Sequence, residues 1–113
     1  MSGGADPQRK EAVKQFGEAV NMTAGEMEKW LGTDESRSAG QSDGSKESVG
    51  HASGRRIVHL LRTKEADLTD DDIAHLRKVV GYVHRHLAQR PQGDISDTRW
   101  RYSLMNWGHD PAK

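Results

Sequence analysis

Residues 68–91, LTDDDIAHLRKVVGYVHRHLAQRP, constrain the fold of this chain more than any other stretch. Ile73, Leu76, Val80, Val83 and Leu87 recur at steps of three and four, one apolar stripe along a helix. Thr69 is a good N-cap, Leu68 can staple onto Ile73, and Asp70, Asp71 and Asp72 complement the positive end of the helix dipole. Arg85, His86 and Arg90 lie toward the negative end, and Pro91 stops the helix. A helix of about twenty residues is about 30 Å long, enough to span a small domain. The spacing therefore predicts a central helix.

Shorter helices are expected around it. Asp6-Pro7 starts one that runs to about Val20, after a disordered tail over residues 1–6. Thr23 and Glu26 form a capping box, with Met22 and Met27 as its staple, for a short helix ending at Gly32. The polar Gly/Ser-rich run over residues 33–45 predicts a mobile loop, with at most a helical turn near Ser36–Ala39. The next helix has two compatible starts, Ser45 and Ser53. The earlier one puts Val49, Gly50, Ser53 and Gly54 on the buried side with Ile57, Leu60 and Leu61, and the glycines then need tertiary packing to hold them. A last helix, capped by Ser96 or Asp97, runs to about Trp107 before Gly108 and Pro111. Its stripe is Trp100, Leu104 and Trp107. Tyr102 and Met105 lie opposite, so this helix is either sandwiched or offers a second face to a partner.

No segment alternates with a period of two. The expected fold is all-α: one helical domain over residues 7–111, a compact bundle of about five helices. Its core is drawn from Trp30, Ile57, Leu60, Leu61, Ile73, Leu76, Val80, Val83, Leu87, Trp100, Leu104 and Trp107.

Composition narrows the function. The absence of cysteine rules out a disulfide framework or thiolate zinc site and fits a reducing cytoplasm. No apolar run approaches the ~20 residues of a membrane span, and MSGGADPQRK is not a signal peptide. The six histidines hold no metal-binding spacing, since His84 and His86 diverge by roughly 200° around a helix. No strand–turn–helix setting surrounds a serine and no phosphate loop follows a strand, so neither an enzyme nor a cofactor is expected.

The zero net charge hides an asymmetry: residues 1–50 carry 6 Lys/Arg against 9 Asp/Glu, residues 51–113 carry 11 against 8. His75, Lys78, Tyr82, Arg85 and His86 share an arc of about 100° opposite the apolar stripe. His51, Arg55, His59 and Arg62 line the outer face of the preceding helix, and Arg99 and Arg101 flank Trp100. Such cations on one surface neutralise phosphates, and an exposed Tyr82 can pack on sugar or base. The alternative is an ordinary solvated face, with Tyr82 covered by another part of the chain.

The strings GRRIV, LTDDD, HLRKVVGYVHRHLAQRP and RWRYSLMNWGHDP are long and specific. With them the chain resembles an uncharacterised family of small bacterial and fungal proteins, domain of unknown function 3140, whose members are often labelled "DNA-binding protein". The resemblance brings no mechanism and no site residues. It implies DNA as a partner, in a cytoplasmic and then nucleoid-associated protein. The expected contacts come from Arg55, Arg62, Lys78, Arg85, Arg99 and Arg101, with Tyr82 beside them. No recognition helix aimed at base edges is identifiable. The competing expectation is a protein-interaction or self-associating module that uses the last helix, around Tyr102 and Met105, or the polar loop.

Overall fold

Thr69 starts the longest helix as its sequence dictates. Its hydroxyl accepts from the Asp72 N–H at 3.1 Å, and the Asp72 carboxylate accepts from the Thr69 N–H at 3.0 Å. In the computed structural model, which describes residues 7–39 and 48–113, six α-helices follow in order. They are α1 (Pro7–Ala19), α2 (Ala24–Leu31), α3 (Asp34–Ala39), α4 (Val49–Leu61), α5 (Asp70–Leu87) and α6 (Arg99–Asn106), with a 3-10 turn over Glu65–Asp67. No strand occurs among the described residues, and the fold is an all-α bundle.

Four boundaries differ from expectation. α5 ends at Leu87, ahead of Pro91: the Ala88 N–H makes the last four-residue bond, to His84 O, and the Gln89 N–H then reaches back only three residues, to His86 O, which tightens the last turn. Ser48 rather than Ser45 or Ser53 caps α4, accepting from the His51 N–H at 3.1 Å; Ser45 lies outside the described residues, as do residues 1–6. Thr98 caps α6, since Asp94 is engaged with the Ser96 N–H and hydroxyl. The fourth difference is α3 itself: a six-residue helix stands where a loop with at most a helical turn near Ser36–Ala39 was expected. Thr33 Oγ1 accepts from the Ser36 N–H, and the helix buries Ser36 and Ala39; the rest of that loop lies outside the described residues.

α1 packs along α5, α2 along α4, and α6 is held among α2, α3, α4 and α5. The expected core is buried except for Trp30, Leu61 and Leu87, which pack partly buried against it. Val49 departs furthest: it was expected on the buried side and is 69% exposed. On the second face of α6, Met105 packs against the core and Tyr102 lies 5.5 Å from Trp30, ring centre to ring centre. That face is sandwiched within the chain.

A buried polar knot locks α6 in place. Asn106, 1% exposed, accepts from Ser36 Oγ at 2.6 Å and Trp30 Nε1 at 2.8 Å, and donates to Ser36 O at 3.0 Å. Every polar atom of its amide is used except one donor hydrogen, the condition under which a buried amide is tolerated.

Candidate functional site

His75, Tyr82 and His86 are seven and four residues apart on α5; Trp100 lies at the start of α6 and Trp107 just after it, seven apart. Those spacings bring one ring per one or two turns to each side of the contact. They interleave as a column: His75–Trp107 at 6.2 Å, Trp107–Tyr82 at 4.3 Å, Tyr82–His86 at 5.0 Å and His86–Trp100 at 6.0 Å, with planes within 17° of parallel. The Arg90 guanidinium closes the column 5.6 Å from the Trp100 ring. Trp100 Nε1 donates to His86 O at 2.7 Å, and Ser53 Oγ bonds His75 Nε2 at 3.0 Å.

Burial in this column shifts its titrations. The His75 pKa falls to about 4, through desolvation first and then the charges of Arg56 and Lys78, with Asp72 opposing. Desolvation also lowers His86, against a backbone hydrogen bond with Trp100, and its Nε2 is buried with no partner among the described residues. Tyr82 is raised by burial, with a Ser103 hydrogen bond opposing. His75, Tyr82 and His86 therefore belong to the α5–α6 contact and not to an outer basic arc.

The expected cations fall into three situations. Arg62 forms a two-pronged pair with Glu28, at 2.7 and 2.9 Å, which holds its pKa up and that of Glu28 down. Arg101 clasps Asp110 with Nε and Nη2, both at 3.1 Å, and gives a third bond to Ser96 O. Arg55 lies near His51 and Arg62 around α4, and both of those turn toward α2: His51 Nε2–H donates to Leu31 O, and Arg62 meets Glu28. Lys78, Arg85 and Arg99 are exposed and form no ion pair among the described residues. Lys78 and Arg85 lie seven apart on α5, near His75 and Tyr82 respectively, close enough to act on their titrations. Arg99 shares a cavity wall with Tyr82. Of the cations expected on one surface, Arg62 and Arg101 are thus matched by carboxylates.

That cavity, of about 420 Å³, opens where the end of α3, the start of α4, the middle of α5 and α6 meet. Ala39, Val49, Gly50, Tyr82, Arg99, Ser103, Asn106 and Trp107 line it, without a carboxylate among them. A Cβ on Gly50 would stand 3.2 Å from Trp107 Nε1.

The family model described as "Protein of unknown function (DUF3140)" matches residues 15–105. The chain belongs to this family. No curated protein and no solved structure matches the chain.

Within this DUF3140 chain the match spans α2 to α5, most of α6 and the latter part of α1. Membership assigns no activity. Among the described residues no three His, Asp or Glu side chains gather where they could hold a metal ion, and no helix is long and apolar enough to cross a membrane. Sequence reasoning missed the ring column and the cavity. The one available signal was the Gly50–Gly54 spacing, which announces a close approach but not what approaches.

Proposed function

We propose that this chain binds nucleic acid, with DNA as the working case, through phosphate contacts and without catalysing a reaction. Lys78, Arg85 and Arg99 make those contacts. The observation that carries this reading is that these three, unlike Arg62 and Arg101, are exposed and without an ion pair among the described residues, and all adjoin the same ring column. A cation already matched by a carboxylate has little left to offer a phosphate. Arg55 lies with the α2 flank and is left out. Tyr82 is also left out, because its ring faces are occupied by Trp107 and His86. Contacts of this kind fix position without reading sequence.

Fluorescence anisotropy of a labelled duplex, titrated between 50 and 200 mM salt, tests the reading. Each phosphate neutralised steepens the dependence by roughly 0.9 log units per log unit of salt, so three contacts give about 2.7. Lys78→Gln, Arg85→Gln and Arg99→Gln should each lower that slope by about 0.9, and Arg62→Gln should leave it unchanged. A flat salt dependence, or equal losses from all four variants, defeats the assignment.

A further inference from the structure

Of the three tryptophans, two have their indole N–H groups satisfied inside the protein: Trp30 donates to Asn106 Oδ1 and Trp100 to His86 O. Trp107 is the exception. Its side chain is 4% exposed, yet its Nε1–H makes no hydrogen bond among the described residues. A buried indole N–H normally finds an acceptor. The only fully buried, unpartnered side-chain N or O among the described residues is His86 Nε2, so solvent reaches Trp107 Nε1. The cavity that Trp107 lines beside Gly50 is where that opening lies.

On the same wall Arg99 offers a guanidinium without an intramolecular partner among the described residues. The Tyr82 hydroxyl is hydrogen-bonded with Ser103, whose Oγ also donates to Ala39 O. The Asn106 amide is engaged by Ser36 and Trp30. Two donors, Trp107 Nε1–H and the Arg99 guanidinium, are therefore left at a hollow that no carboxylate lines among the described residues, beside the apolar Ala39 and Val49. Val49 is the one exposed large hydrophobic residue among the described residues, and it stands on this rim. A volume of about 420 Å³ falls within the range of small-molecule sites.

We infer that this cavity binds a small organic anion, its acidic group held by Trp107 Nε1–H and Arg99 and its apolar body resting against Val49 and Ala39. Gly50 keeps the indole N–H accessible, because a side chain there would crowd it. The site is independent of the nucleic-acid reading in all but Arg99, since Lys78 and Arg85 do not line it.

The test uses the whole chain, ¹⁵N-labelled, at constant ionic strength, with the three indole N–H resonances as reporters and Trp107→Phe to assign one. Benzoate and phenyl phosphate are the anionic probes, and benzamide is the uncharged control. The expected result is a saturable shift of the Trp107 resonance, with Trp30 and Trp100 unmoved. Arg99→Gln should weaken it about tenfold, as loss of a charge-assisted hydrogen bond does. Lys78→Gln should not change it, although the same variant lowers the salt slope for duplex if the phosphate reading holds. Gly50→Ala should weaken binding while helix propensity keeps the fold intact. Tighter binding of benzoate assigns a carboxylate ligand, and tighter binding of phenyl phosphate a phosphate ester. The inference is overturned if the Trp107 resonance never saturates, if benzamide matches the anions, or if Arg99→Gln binds as well as the parent.

Discussion

His75 shows how one side chain takes on a different role once its neighbours are known. On a helical wheel it joins the basic arc; in the fold it bonds Ser53, stacks on Trp107 and is held neutral first by burial and then by the charges of Arg56 and Lys78. Its depressed pKa has a definite consequence. The unfolded chain takes up a proton near pH 6.5, while folded His75 does so only near 4, so stability falls as pH drops through that interval. His86 adds to the loss in the same direction. The carboxylates whose pKa is lowered, such as Glu28 and Asp72, contribute stability that disappears only below about pH 4.5, so the upper part of the interval isolates the histidines. The urea midpoint should therefore decline between pH 6.5 and 4.5, and His75→Gln, which keeps a partner for Ser53, should flatten the decline. An unchanged profile in that variant would show that other groups dominate acid unfolding.

Among the elements, α4 depends most on what it touches. Its two glycines make it a poor helix in isolation, by roughly 1 kcal/mol each relative to alanine. The reason they stay appears at Gly54, where a Cβ would meet Asn106 O and Leu31 Cδ2, both at 2.7 Å. One of those atoms is backbone, so α6 would have to move. Gly54→Ala should therefore destabilise by about 1–3 kcal/mol in urea unfolding, the usual cost of overpacking, despite the propensity gained. Gly17, with nothing within 4 Å of its missing Cβ, provides the contrast: Gly17→Ala should stabilise by about 0.5–1 kcal/mol. α3 carries the complementary lesson. Its serine, aspartate and glutamate resemble loop, yet Ser36 is fully buried because Asn106, 70 residues away, satisfies it. Local composition contains no trace of that partner.

At the scale of the molecule, the segment after α6 is tied to the α1–α2 turn. Asn21 exchanges hydrogen bonds with Asp110, at 2.8 and 3.0 Å, and the Asn21 and Met22 N–H groups both donate to Gly108 O. His109 Nδ1–H donates to Ala19 O at 2.7 Å, and Lys113 reaches Asn21 O and Glu26. Gly108, at φ +88°, makes the turn that permits this, and its missing side chain leaves room for Val20. Asn21→Ala removes both side-chain bonds and leaves Asp110 partly unsatisfied. It should lower unfolding free energy by about 1–3 kcal/mol, measured by urea titration. The same closure explains why Arg101 is not a free cation: it organises Asp110 for the tie.

The helices were legible before any coordinates because a period of 3.6, an N-cap and a glycine or proline stop are local instructions, read within one or two turns of chain. Thr23–Glu26, Thr69–Asp72 and the stripe from Ile73 to Val83 carried them in plain form. The all-α class and most of the core followed. Which cations remained unpaired did not follow, nor did the ring column or the cavity of donors. Glu28 against Arg62, Asp110 against Arg101 and Trp107 between His75 and Tyr82 are meetings between segments, and charge and stacking depend on distances in space that the order of residues along the chain does not encode.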